Sequence, residues 1–169
     1  IFLFLFVFSF SYGQSTIENM KAIDNDVWLK FEQAFATFDN SLMREIHSKN
    51  VIRLSSYSQS IRNYKDYMSS NQKSFERSLA SNSSSNISLR FFERINNEKL
   101  ASERGIYRLI SNNGKSNEHI SFGQFHVLLE KEKGEWKIIF DYDSNEYNTI
   151  SKDQFEKAFE KSSYQKFIK

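Results

Sequence analysis

Apolar positions along this chain keep two different periods, one in each half. From Ile17, the residues Met20, Ile23, Val27, Phe31, Phe35 and Phe38 recur every three or four positions, the spacing that draws one apolar stripe along an α-helix. Asp39 has the chemistry of an N-cap for a second, short helix carrying Leu42, Met43 and Ile46, which should turn at Lys49-Asn50. A short strand is expected at 51–54. Asn63 can cap a third helix with Tyr64, Tyr67, Met68, Asn71, Phe75 and Leu79 along its face, and the loop SNSSSN ends it.

Beyond that loop the period falls to two. Ile87, Leu89, Phe91 and Ile95 are interleaved with Ser88, Arg90 and Arg94, and a second strand runs from about Lys99 to Ser111, stopping at NNGKSN. The clearest stretch is GQFHVLLEKEKGEWKIIFDYDSN, where two alternating runs meet at Lys133-Gly134. It reads as a β-hairpin with a two-residue turn. Helices first and a mostly antiparallel sheet second predict an α+β domain. At the end, Ser151 and Gln154 form a capping box ahead of Phe155, Phe159 and Phe167, so 149–169 is expected to be an added amphipathic helix.

The first residues bear on compartment. IFLFLFVFSFSYGQ is an apolar run that turns small and polar, in the order of a secretory signal peptide and its cleavage region. Residues 1–13 are therefore expected to be a signal peptide lacking its own start, cut after Gly13, with the mature chain periplasmic or secreted and not stably inserted in a membrane. The other reading is an apolar first element of the fold.

Composition removes several functions. A chain of 169 residues suits one domain. A formal net charge of +2 without a basic cluster does not suggest nucleic-acid binding. The absence of cysteine excludes disulfides, thiolate metal sites and a cysteine nucleophile. His47, His119 and His126 have no metal-ligand spacing. No phosphate loop or nucleophile elbow is present, and no cofactor is implied. His47 is expected to be a cation at a helix end, and His119 an exposed residue at a strand entry.

AFATFDNSLMREIHSKNVIRL, EKLASERGIYRLI and the hairpin segment together resemble the nuclear transport factor 2 like superfamily, particularly its small SnoaL-like bacterial proteins. The resemblance covers 27–145 and implies a domain at 14–148. Its most specific pieces are Ala101-x-x-x-Gly105-x-Tyr107 and Gly134-x-Trp136-Lys137-Ile138 followed by Asp141. It implies a cone, in which a strongly curved sheet wraps around the helices and leaves a pocket at the wide end, and commonly a homodimer. Members include isomerases, cyclases and dehydratases alongside pockets of no demonstrated activity, so fold does not choose a function. This chain departs from many relatives at Asn50 and Asn63, and it has no acid between those positions. A base of the ketosteroid isomerase kind on the early strand has no candidate.

Counting outward from Lys133-Gly134 places Asp141 opposite His126, and a symmetric loop at 112–117 places Glu103 opposite the same histidine. Glu103, His126 and Asp141 then form one row, either as candidate catalytic groups in a pocket or as a surface ion-pair row. Tyr107 shares their face, and Gly105 leaves space beside it. Tyr57, Tyr64 and Phe125 are further candidates for ligand contact, with Tyr67 as another possible hydroxyl. The opposite face, with Phe125, Val127, Leu129, Trp136, Ile138 and Phe140, reads as core or dimer seam. Two functions fit: an exported, non-catalytic domain binding a small apolar or carbonyl-containing molecule or a protein partner in the cone, or a proton-transferring isomerase, cyclase or dehydratase acting on a small carbonyl compound, with His126 or a carboxylate as base and Tyr107 as donor.

Overall fold

The computed structural model describes residues 8–168, with side chains from Thr16 onward. Most of the expected signal peptide lies outside that range; residues 8–13 are the first turns of α1 (Phe8–Ile23). A π-helical turn at Asp24–Trp28 joins α1 to α2 (Leu29–Thr37), which ends on Phe38 in the left-handed region. The wider turn shifts the phase of the stripe. Asp24 and Trp28 become buried together with Val27, although neither belongs to the regular period that ends at Phe38.

Asp39 caps α3 (Asn40–Ile46) by accepting from the Ser41 amide, and Asn63 caps α4 (Tyr64–Ala80) by accepting from the Asp66 amide. Both are local side-chain bonds to unpaired helix amides. Between these helices run β1 (His47–Ser55) and β2 (Ser60–Asn63). β1 begins four residues before the strand expected at 51–54, because His47 leaves α3 directly into extended backbone. β3 (Ser85–Asn96), β4 (Leu100–Ser111), β5 (His119–Glu132) and β6 (Glu135–Ser144) follow as a meander. Lys133 and Gly134 both take positive φ, so the two-residue turn holds Glu132 opposite Glu135.

The sheet order is β2-β1-β6-β5-β4-β3, with a short β7 (Phe159–Glu160) on the far side of β3, and it is antiparallel except for the β1–β6 pair. One face packs on the helices. Trp28 is its centre: its ring meets Phe91 at 5.5 Å and Phe125 at 5.4 Å, and Phe91 meets Phe125 edge-on at 5.4 Å. Such tilted and edge-on pairs contribute about 0.5–1.5 kcal/mol each beyond the area they bury.

The C-terminal segment is not one helix. The capping box forms, with Gln154 accepting from the Ser151 amide, but α5 covers only Lys152–Lys157. Ala158 is extended, and β7 (Phe159–Glu160) pairs with β3. The unpaired edge of β3 offers backbone hydrogen bonds that a longer helix would forgo. Phe155 packs on Phe122 across the face away from the helices. Past β7 the chain reaches the helix side, where Tyr164 donates to Asp24 at 2.8 Å and Phe167 meets Phe91. The segment is a strap around the β3 edge.

Candidate functional site

Two one-residue displacements decide which side chains meet. In the β5–β6 hairpin the register shifts between Leu128 and Leu129, leaving Ile139 as an unpaired bulge residue. In the β4–β5 connection Glu118 stays in the loop, its carboxylate accepting from the Gly114 amide at 2.7 Å, so Ser111 pairs with His119. Both corrections replace His126 by Val127. The row becomes Arg53, Asp141, Val127, Glu103, Arg94, crossing five strands on the helix side. The bulge is also why Asp141 shares a face with Trp136 and Ile138.

His126 therefore leaves the expected trio. It pairs with Arg104 and Tyr142 on the outer face, where Ser102 Oγ lies 3.0 Å from Nε2 and Phe140 stands edge-on. Partial burial and then the nearby Arg104 cation push its pKa down, the reverse of what two flanking carboxylates would do.

Glu103 and Asp141 end one strand apart on either side of Val127, in different surroundings. Glu103 is wholly buried; it accepts from Trp28 Nε1 at 2.5 Å and from Arg94 Nε at 2.8 Å. Arg94 also holds Asp24 at 2.7 Å and donates to the Lys161 carbonyl of the strap. Burial raises the Glu103 pKa, with the Arg94 charge and hydrogen bonds opposing it. This is a closed ion network that ties helix, sheet and strap together.

Asp141 faces a cavity of about 170 Å³ inside the cone. Trp28, Phe31, Phe35, Leu89 and Phe125 form most of its walls, and Arg53, Tyr67, Tyr107, Asp141 and Asp143 form the polar end. Tyr67 donates its hydroxyl to Asp141 Oδ2 at 2.9 Å, Arg53 stands 3.5 Å from Oδ1, and His47 Nε2 is 3.4 Å from Oδ2. Burial disfavours the carboxylate, yet Arg53, His47 and Tyr67 outweigh it and hold its pKa at about 2. For Tyr67, burial and then Asp141 push the phenol up. His47 has its other nitrogen, Nδ1, 2.7 Å from the Met43 carbonyl. A carbonyl only accepts, so Nδ1 donates there; a hydrogen bond to Asp141 as well needs the imidazolium. Asp143 takes Arg53 Nη2 at 2.6 Å.

The aspartates at the end of β6 are thus one wall of a pocket. Phe125 and Tyr107 line the cavity as the sequence suggested. Burial and then Asp143 push the Tyr107 pKa to about 12. Gly105 leaves no free space: a Cβ there would lie 2.8 Å from the Phe125 ring and still closer to the Arg90 carbonyl. Tyr57 is 79% exposed and belongs to an outer depression. Tyr64 lies away from the cavity, accepting from Lys49 Nζ at 2.6 Å. The sequence reading missed His47, Arg53 and Trp28. Arg53 carried a signal, being two residues from Val51 on the same face of β1. His47 and Trp28 carried none, since a helix-to-strand junction and a π turn place them.

No protein-family model matches the sequence, and no curated protein matches it. Solved structures do. A nuclear transport factor 2 like protein of unknown function from Shewanella oneidensis is 18% identical, with a TM-score of 0.56 over 78% of this chain and 98% of that one. A ketosteroid isomerase-like protein from Erwinia carotovora is 15% identical, with a TM-score of 0.57 over 75% and 95%. A conserved protein from Planctomyces limnophilus is 13% identical, with a TM-score of 0.59 over 78% and 94%. Likeness at such low identity speaks to architecture, and by that measure, together with the element order and curled sheet, the chain has the α+β cone fold of the nuclear transport factor 2 like superfamily.

Proposed function

We propose that this is an exported small-molecule-binding domain that works as a homodimer. The observation that carries the binding reading is the aromatic cavity closed at one end by Arg53, Asp141 and Tyr67. Apolar walls with a few convergent polar groups are the usual make-up of a ligand site. Binding is favoured over proton transfer because Asp141 is held at about 2 by three partners, far from the near-neutral value that suits a general base. The ketosteroid isomerase-like neighbour keeps an isomerase, cyclase or dehydratase as the second reading. Export is supported by the apolar run of residues 1–10 and the small residues after it.

Dimerisation is supported by the outer face. Ile52, Phe140, Leu128, Ser102 and Ile95 are successive neighbours across five strands, and Ile52, Leu128 and Ile95 are 51%, 38% and 52% exposed. At about 4.8 Å per strand this row, apolar except at Ser102, is about 19 Å wide, and α5 covers another part of the face. A second copy related by a two-fold axis would bury the row against itself.

Native mass spectrometry of protein purified from its source tests the binding reading. The expected result is a retained small molecule that is lost in Leu89→Trp, which fills the cavity. A mass of protein alone from the source, with no organic compound recovered on denaturation, overturns it. Turnover of a carbonyl substrate that is abolished in Asp141→Asn would move the conclusion to the enzyme.

A further inference from the structure

The inner cavity shares Tyr107, Leu109 and Asp143 with a wider depression of about 680 Å³. The two spaces differ in chemistry. Aromatic rings form most of the inner one's walls, whereas the outer one mixes Ser55, His119 and Asn145 with Tyr57, Ile120 and Phe122. The shared residues are the partition between them.

Tyr107 is seated on that partition by a glycine. Gly123 is its cross-strand partner, and a Cβ added there would meet the Tyr107 hydroxyl oxygen, the ring carbon Cζ and Cε1 at 2.4, 2.5 and 2.7 Å. The ring therefore lies over bare backbone, and a side chain at 123 would force it to move. The charges beside it are arranged unevenly. Arg53 donates to the Leu54 carbonyl at 2.8 Å, the Asp141 carbonyl at 3.3 Å and Asp143 at 2.6 Å, so its guanidinium already serves protein acceptors. Asp143 uses Oδ1 for Arg53, which leaves Oδ2 able to accept from a ligand. An incoming carboxylate would meet two aspartates, with both basic side chains there, Arg53 and His47, already engaged by protein acceptors. An incoming amine or hydroxyl would meet a carboxylate acceptor.

We infer that the site takes a monocyclic aromatic compound with a hydrogen-bond-donating, uncharged or cationic side chain: the ring fills the inner cavity, and the chain passes Tyr107 to place its donor on Asp143. The inference rests on reading the cone as a small-molecule site and adds the ligand's size, polarity and orientation. The size follows from volume, since an apolar cavity of about 150 Å³ holds a benzene-sized molecule. Trp28 and Phe125 supply ring edges and faces for stacking.

The test is calorimetric titration of the full chain with phenethylamine, 2-phenylethanol, phenylacetate and toluene, in the parent, Asp143→Asn and Gly123→Ala. The amine and the alcohol are expected to bind at least tenfold more tightly than phenylacetate. Asp143→Asn, which keeps the shape, should erase the amine's advantage over phenylacetate and leave toluene unchanged. Gly123→Ala, which displaces a wall shared by both spaces, should weaken the amine and the alcohol at least tenfold more than it weakens toluene; if that variant fails to fold, the Asp143→Asn series decides. Phenylacetate binding as tightly as the amine overturns the assigned polarity. Equal weakening of toluene and the alcohol in a folded Gly123→Ala protein overturns the partition at Tyr107. No binding of any probe, toluene included, overturns the reading of the cone as a small-molecule site altogether.

Discussion

Replacing Asp141 by Asn should destabilise the protein at neutral pH and do so less and less as pH falls. The Asp141 side chain is 10% exposed and faces Arg53 at 3.5 Å, His47 at 3.4 Å and the Tyr67 hydroxyl at 2.9 Å. These partners depress its pKa from 3.8 to about 2, which corresponds to about 2 kcal/mol at about 1.4 kcal/mol per pH unit. A depressed folded pKa contributes stability that is fully present above the unfolded value and disappears as pH falls through the folded one. The contribution is therefore complete at pH 5 and above, and about half of it remains at pH 3. Urea unfolding of the parent and Asp141→Asn at pH 7, 5, 4 and 3 measures it. The difference between the two proteins should be about 2 kcal/mol at pH 7 and shrink to about half at pH 3. A difference that stays constant across that range would show that Asp141 is not held ionised by Arg53 and His47, and the account of the polar wall would fall with it.

Tyr67→Phe removes the shortest hydrogen bond to Asp141 and should cost about 1–3 kcal/mol, with the acid-range pH dependence reduced but kept in part, because Arg53 and His47 still favour the carboxylate. Glu103→Gln breaks a pairing in which Arg94 is wholly buried and should cost about 3 kcal/mol in urea unfolding, while the folded fraction keeps its affinity for ring compounds because Glu103 does not line the cavity. His126→Gln should make the protein relatively more stable than the parent as pH falls below about 6.5: the folded pKa of His126 is lowered, so the parent loses stability when the imidazole charges. Ring-proton NMR titration of His126 reports the same shift directly, and a value above 6.5 would contradict the outer-face placement. Leu128→Glu sets a charge in the middle of the outer apolar row, and light scattering should then give a monomer where the parent gives a dimer.

Features governed by neighbouring residues were legible in the sequence. Asp39 and Asn63 cap their helices, Ser151 and Gln154 close a capping box, and Lys133-Gly134 makes the two-residue turn. Each depends on side chains within three residues of the backbone groups they satisfy, so spacing carries the information. The α+β order and the aromatic core were also readable, because alternation and helical period survive in any register. The C-terminal helix was legible only at its start, since the edge of β3 that captures Phe159 and Glu160 is more than sixty residues away.

Tertiary structure alone decided the site. A bulge at Ile139 and a loop that keeps Glu118 each moved one pairing by one residue. Because the two displacements have the same sense, Glu103 and Asp141 stayed in one row while the residue between them changed from His126 to Val127. A strand alternates faces at every residue, so that single step sent the histidine outward. His47, from a helix end far away in sequence, came to Asp141 instead. The sequence by itself determined the elements and the acid at the strand's end; which partners surround that acid was left to the packing of α3, α4 and β1 against β6, where contacts between distant residues set distances that no local pattern encodes.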